Sequence, residues 1–240
     1  MELECITDGV YGVTTVIRPS WGFALPLRST LLRLQRGGLV VVSPNDVTDE
    51  VALQIDALGP VEHIVAPNRL HHLFVKKAAL RWPDARVHIA PGLEMKRPGL
   101  PFHHTLGDGA LPAEIETVLL GGAPALSETV FLHRPSRTLV VTDLVFNVRT
   151  PVGFLTPMIL WLVGVHRGLA QSRALRFMTT DRVEAEKTAR LILAMDFDRL
   201  VMAHGEPIGP GAKPQLESAL WWMLREERRR LAATNAPQGG

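Results

Sequence analysis

Val65-Ala66-Pro67-Asn68-Arg69-Leu70-His71-His72 is the stretch on which the fold turns. It begins inside an apolar run, His63-Ile64-Val65-Ala66, of the length of a buried strand. Pro67-Asn68 ends the run with turn chemistry, and two imidazoles follow. Two further segments are built the same way. Thr138-Leu139-Val140-Val141 leads through Thr142 into Asp143, and Leu200-Val201-Met202 leads through Ala203 into His204-Gly205-Glu206-Pro207. Each sets a metal-binding type of side chain just past the end of a strand, and in α/β proteins those ends open on a common crevice. Imidazole and carboxylate suit zinc, iron and manganese. Taken singly, each has a plainer reading: a polar loop for His71-His72, a turn former or helix cap for Asp143, an exposed ring for His204. Their shared position after three separate strands is what points to a site.

The surrounding pattern alternates. Apolar runs at residues 30–34 and 39–42, with Arg36-Gly37-Gly38 between them, read as a hairpin. Thr48 caps a helix that Gly59-Pro60 stops. A helix is expected over 73–81 and a strand over 87–90. Strands are expected over 116–120, 128–132 and 138–141, and a helix over 181–195 with Asp181 at its N-cap. A terminal helix is expected over about 214–233, with a frayed tail at 235–240. Proline and glycine never cluster into a linker, so residues 1–234 read as one domain. This mixed order fits two sheets with helices outside both, or one open mixed sheet.

The chain has 240 residues, 26 basic and 24 acidic, and its net charge of +2 gives no reason to expect nucleic acid as a partner. A single cysteine, Cys5, rules out an internal disulfide and a cysteine-based zinc site. No phosphate-binding Gly-Lys-Ser or Gly-Lys-Thr follows the glycine pairs, and no G-x-S-x-G elbow is present. The acidic N-terminus lacks the apolar run of a signal peptide, which reads as cytoplasmic. Residues 146–170 are rich in large apolar side chains, Phe154, Met158, Trp161 and Leu162 among them. The run is too short for a membrane span, and its few flanking basic residues argue against membrane contact. Gly153, Pro157 and Gly164 predict a bent helical cap, packed on its own domain or used in a homodimer.

In order and spacing the chain resembles the metallo-β-lactamase superfamily from about Thr30 to Ile208. The residues that carry the resemblance are the hairpin opening, Pro67 to His72, Thr142-Asp143 and Ala203-His204-Gly205-Glu206-Pro207. Within the superfamily it is most similar to a divergent group, the domain of unknown function DUF4336. The words it shares with that group are Ser43-Pro44, Pro67-Asn68, His71-His72-Leu73-Phe74, Ala90-Pro91-Gly92-Leu93 and Asp196-Phe197-Asp198-Arg199. The resemblance implies a four-layer αββα sandwich. It also implies a two-metal site built on a His-x-His-x-Asp-His motif. With His72 set on the last motif histidine, the earlier ligand positions fall on Pro67, Arg69 and His71, and Gly122 stands where a further histidine belongs. The ligands of the first metal are thereby lost, since proline and glycine offer none and arginine repels a cation.

The second metal's set survives in altered form as His71, His72, Asp143 and His204, enough for one zinc or iron ion. Asp143 would be a ligand or the catalytic group that orients water, with Asn68, Arg69 and Gly122 lining the site. The implied activity is a single-metal hydrolase acting on a small molecule through an ester, thioester, lactone or phosphodiester bond. The alternative is an inactive binding or assembly module of the same fold, without metal, in which Arg69 lends its charge to Asp143. His103-His104 could approach the cleft from a loop; His63, His88, His133 and His166 read as structural.

Overall fold

The computed structural model describes residues 1–166 and 168–225. The larger sheet runs, in spatial order, β1 (Leu3–Thr7), β2 (Val10–Ser20), β3 (Phe23–Arg33), β4 (Leu39–Val42), β5 (Val61–Ala66), β6 (Arg86–Ile89) and β7 (His104–Thr105). Pairing is antiparallel from β1 to β4 and parallel from β4 to β7. Parallel neighbours need crossovers, supplied by α1 (Asp49–Leu58), α2 (Val75–Arg81) and α3 (Leu93–Lys96). The smaller sheet contains β8 (Ile115–Leu119), β9 (Thr129–His133), β10 (Thr138–Val141) and β11 (Arg199–Met202), arranged 11-10-9-8 with only β10 and β11 parallel. Four helices complete the described chain: α4 (Thr156–Val163), α5 (Arg173–Met178), α6 (Arg182–Ala194) and α7 (Ala212–Ala219).

Strand alternation sorts the apolar residues into three layers of packing. Leu39, Val41, Ile64 and Val87 face outward onto Val51 and Ile55 of α1 and Val75 and Ala78 of α2. Val40, Val42 and Val65 face inward, against Ile115, Phe131, Val140 and Val201 of the second sheet. That sheet's other face, with Leu132, Leu139 and Leu200, packs on Ala189 and Ile192 of α6 and Leu216 of α7. The result is helix, sheet, sheet, helix: the αββα sandwich.

Several expectations shift in position. Two strands, β1 and β2, precede the hairpin read from residue 30. The chain before β2 carries Gly9, and β2 itself carries Gly12 and Pro19, which interrupt its apolar pattern. The terminal helix ends at Ala219, where Leu220 leaves helical geometry; a turn and a short 3-10 segment, Met223–Arg225, then bury Met223. The rest of that expected helix and the 235–240 tail lie outside the described residues. In the apolar stretch a single helix, α4, runs between Gly153 and Gly164. Pro157 sits in its first turn, where proline is tolerated rather than disruptive. Only one face of α4 is covered: Leu160 packs with Val148 and Val165, beside Leu25 and Phe146. Among the described residues no helix is long and apolar enough to cross a membrane.

Candidate metal centre

The strand ends of the two sheets converge as the sequence suggests. His71 follows β5 of the larger sheet; Asp143 and His204 follow β10 and β11 of the smaller one. Their ligand atoms all lie within 4.8 Å of one another. His71 Nε2 is 3.2 Å from Asp143 Oδ2, His204 Nε2 is 3.4 Å from Asp143 Oδ1, and the two Nε2 atoms are 3.2 Å apart.

Both rings are aimed from behind. β3 overhangs β4, so the outer edge of its first half has no strand partner. The segment after β11 takes that edge: Arg28 N donates to Ala203 O at 2.8 Å, and His204 Nδ1 donates to Pro26 O at 2.7 Å. A carbonyl can only accept, so Nδ1 of His204 carries a proton, and in the neutral ring Nε2 turns its lone pair into the cluster. Phe146 stacks on the same ring, 4.8 Å between centroids. Gly205 makes the turn possible: its φ is +113°, and a Cβ there would lie 2.1 Å from Asn147 O. His71 Nδ1 lies 2.7 Å from Ser43 Oγ. Ser43 is a buried non-glycine residue in the left-handed region at φ 55°, a strained conformation of the kind that collects at functional sites.

The carboxylate is held as firmly. Asn68, wholly buried, donates from Nδ2 to Asp143 Oδ2 (2.8 Å) and Thr142 Oγ1 (2.9 Å), while its Oδ1 accepts from the amides of Leu70 and His71. Glu128, also wholly buried, accepts from the amides of Thr142 and Asp143 at 2.8 Å and of Leu144 at 3.2 Å. Burial is the strongest influence on Asp143 and works upward. With the His71 and His204 rings protonated, the His71 charge and hydrogen bonds from His204 and His71 outweigh it and hold the carboxyl well below its usual range. Burial, and then the Asp143 charge, push Glu128 up to about 7 against the pull of the amides it binds.

A cleft of about 190 Å³ opens over the cluster. Besides Ser43, His71, Asp143 and His204 it is lined by Ile17, Leu25, Leu27, Pro44, Leu70, Leu73 and Phe74. No lysine or arginine is among the lining residues.

Other expected site residues lie elsewhere. His72 stands apart from the cluster, because adjacent residues in this turn project to opposite sides. Its Nδ1 donates to Leu70 O at 3.0 Å and its Nε2 accepts from Arg97 Nε at 2.7 Å. Burial, reinforced by the Arg97 and Lys96 charges, lowers its pKa. Arg69 is directed away from Asp143 and donates to Pro124 O at 3.1 Å, so the arginine-neutralised arrangement is not formed. Gly122 does not line the cleft; it packs under the start of α6, where a Cβ would meet Asp181 O at 1.9 Å. Two buried participants, Ser43 and Glu128, escaped the sequence reading. Their signals are modest: a serine before proline at a strand end, and one carboxylate heading the apolar run Glu128-Thr129-Val130-Phe131-Leu132.

The model of the family described as domain of unknown function (DUF4336) matches residues 20–160. Among solved structures, DIM-1 metallo-β-lactamase exposed to ceftazidime superposes with a TM-score of 0.65 at 13% identity, covering 92% of this chain and 96% of that one. A metallo-β-lactamase from Pontibacter korlensis gives 0.63 at 15% identity, covering 94% and 99%. FIM-1 from Pseudomonas aeruginosa, in a mono-zinc form, gives 0.60 at 13% identity, covering 95% of each. At such identities the likeness is one of fold. No curated protein matches the chain in sequence.

Proposed function

Because the chain belongs to the DUF4336 family and has the metallo-β-lactamase fold, we propose that it is a single-metal hydrolase centred on His71, Asp143 and His204. One observation carries this reading. Two imidazoles and a carboxylate converge on one buried point, with the neutral His204 ring held so that its Nε2 lone pair faces inward, and that point takes a positive charge, a metal ion or a proton. The donor set fits zinc or iron(II): two imidazoles and a carboxylate, each oriented by a further hydrogen bond. A bound ion would polarise the scissile group and lower the pKa of a water.

The chain's own residues supply the rest. Pro26 O fixes His204, Ser43 fixes His71, and Asn68 and Glu128 fix the segment that bears Asp143. Asp143 Oδ1 and Oδ2 provide the acceptor that orients a water. The apolar wall of Ile17, Leu25, Leu27, Leu70, Leu73 and Phe74 excludes bulk water and takes an apolar substituent. A wall without lysine or arginine favours an uncharged carbonyl substrate (an ester, thioester or lactone) over a phosphodiester, which would need a cationic clamp.

Metal analysis of protein purified without added metal, then offered zinc or iron, is the test. About one equivalent is expected in the parent, lost in His71→Ala and His204→Ala, with hydrolysis of a medium-chain ester or lactone following the metal. Less than about a tenth of an equivalent in folded parent protein would sink the reading and favour a metal-free binding module whose cluster is bridged by a proton.

A further inference from the structure

Phe154, Met158, Trp161 and Leu162 recur at i, i+4, i+7 and i+8, the spacing of one helical face. That face is turned to solvent. The four side chains are 62%, 53%, 55% and 50% exposed, although the opposite face of α4 is well packed through Leu160. The fold adds a residue from far away in the chain. Trp21, at the tip of the β2–β3 hairpin and 85% exposed, packs edge-on against Phe154 with centroids 4.9 Å apart, and Leu155 N donates to Gly22 O at 2.9 Å. Single exposed apolar residues need no explanation, but a contiguous set of aromatic and aliphatic groups does.

The two segments that build this face carry charge of one sign. No Asp or Glu occurs from Leu144 to Thr180, nor from Gly9 to Asn45, the two segments that build it. Exposed arginines rim it. Arg18 stands on the hairpin, Arg149 at the entry to the apolar stretch, and Arg173 at the far end of α4, where its Nη1 donates to Leu162 O at 2.9 Å. The neighbouring acid is Glu206, whose carboxylate is occupied by the Arg149 amide and Thr150 Oγ1. Sequence alone counts few basic residues beside the apolar run; the fold brings to it the hairpin that carries Arg18 and Trp21, and seats Arg173 on it.

We propose that this face docks on an anionic lipid bilayer, with Trp21, Phe154 and Trp161 at headgroup level and Arg18, Arg149 and Arg173 against the phosphates. Aromatic and aliphatic groups inserted shallowly beside arginines are the pattern of a protein that lies on a membrane without crossing it. A second copy of the chain fits less well, because twofold contact would set the arginine rims against each other, and the neighbouring carboxylate, Glu206, is already hydrogen-bonded. Ile17 and Leu25, which line the cleft, are paired on the same hairpin, so docking brings the cleft wall toward the bilayer. The inference does not depend on the metal reading.

Flotation with vesicles tests it, using phosphatidylcholine alone and phosphatidylcholine mixed equally with phosphatidylglycerol. The parent should float with the mixed vesicles at low salt and lose roughly tenfold in partitioning at high salt or on neutral vesicles. Trp161→Glu should abolish flotation, and so should Trp21→Glu, whose site at an exposed turn tip leaves folding unaffected. Arg18→Gln, Arg149→Gln and Arg173→Gln together should remove the preference for anionic lipid. His204→Ala should float like the parent, which separates this proposal from the hydrolase reading. No flotation on either vesicle, equal binding to both, or a dimeric parent that Trp161→Glu converts to a monomer would each overturn the proposal.

Discussion

Glu128 carries more of the site than its distance from the cleft suggests. Three consecutive amides, of Thr142, Asp143 and Leu144, end on its carboxylate, and Asn68 Nδ2 stands 3.4 Å from it. Glutamine is nearly isosteric but would bring an NH₂ group against these donors. Glu128→Gln should therefore cost roughly 2–4 kcal/mol of stability by urea unfolding and lower metal occupancy in parallel. A loss below about 0.5 kcal/mol would show that the amides do not need the charge. At this scale the sequence is readable where a candidate ligand follows a strand, because the apolar run announces the strand: His71, Asp143 and His204 are of that kind. The choice between His71 and His72 is not readable. It depends on how Asn68 Oδ1 captures the amides of Leu70 and His71 and so rotates the turn.

Neighbouring strands β5, β6 and β7 form a ladder of histidines. His63 Nδ1 lies 2.9 Å from His88 Nε2, His88 stacks on His104 with centroids 5.1 Å apart, and His104 Nδ1 meets Asp108 Oδ2 at 3.0 Å. His88 is wholly buried and its Nδ1 has no partner. Burial, then the charges of His63 and His104, push its pKa down to about 4 from the ordinary 6.5. Such a depressed base is neutral in the folded protein while the unfolded chain takes up a proton below pH 6.5. Stability is thus complete above that pH and falls as pH drops from 6.5 toward 4, by about 3 kcal/mol. Urea midpoints measured between pH 7 and pH 4 should show this slope, and His88→Leu should flatten it. An unchanged slope in His88→Leu would place the acid sensitivity elsewhere. From residue 30 onward the longer strands and helices were legible where proline or glycine punctuates the turns, as at Gly37-Gly38, Gly59-Pro60 and Pro91-Gly92, whereas the short α3, β7 and α5 were not. The hairpin of β2 and β3 was not, because its pairing partners and its packing on residues 153–155 are settled only in three dimensions.

Over the whole molecule, the cluster draws on both sheets: His71 from one, Asp143 and His204 from the other. An ion bound there would join the halves of the sandwich and stabilise the folded state alone. At about 100 times its dissociation constant, zinc should add about 2.7 kcal/mol, a rise of roughly 5–10 °C in thermal midpoint. Chelator should reverse the shift and His204→Ala should not show it. A rise of equal size in His204→Ala would move the binding site. The αββα layering was legible only through the family resemblance, because the element order alone fits a two-sheet sandwich and an open mixed sheet alike; what the apolar run at 146–170 does was not, because one covered face and one bare face look alike in sequence.

The overhang of β3 also sets an order of events. Its outer edge stays unpaired until the segment after β11 arrives, and Pro26 and His204 are separated by 178 residues. At a synthesis rate of about 5–20 residues per second, that edge is open for roughly 9–36 s on the ribosome. An open strand edge beside an apolar surface is a place where nascent chains pair with one another. The seam that aims His204 closes late, so the geometry of the cluster exists only once the late strand has been made and the early one has been kept from the wrong partner.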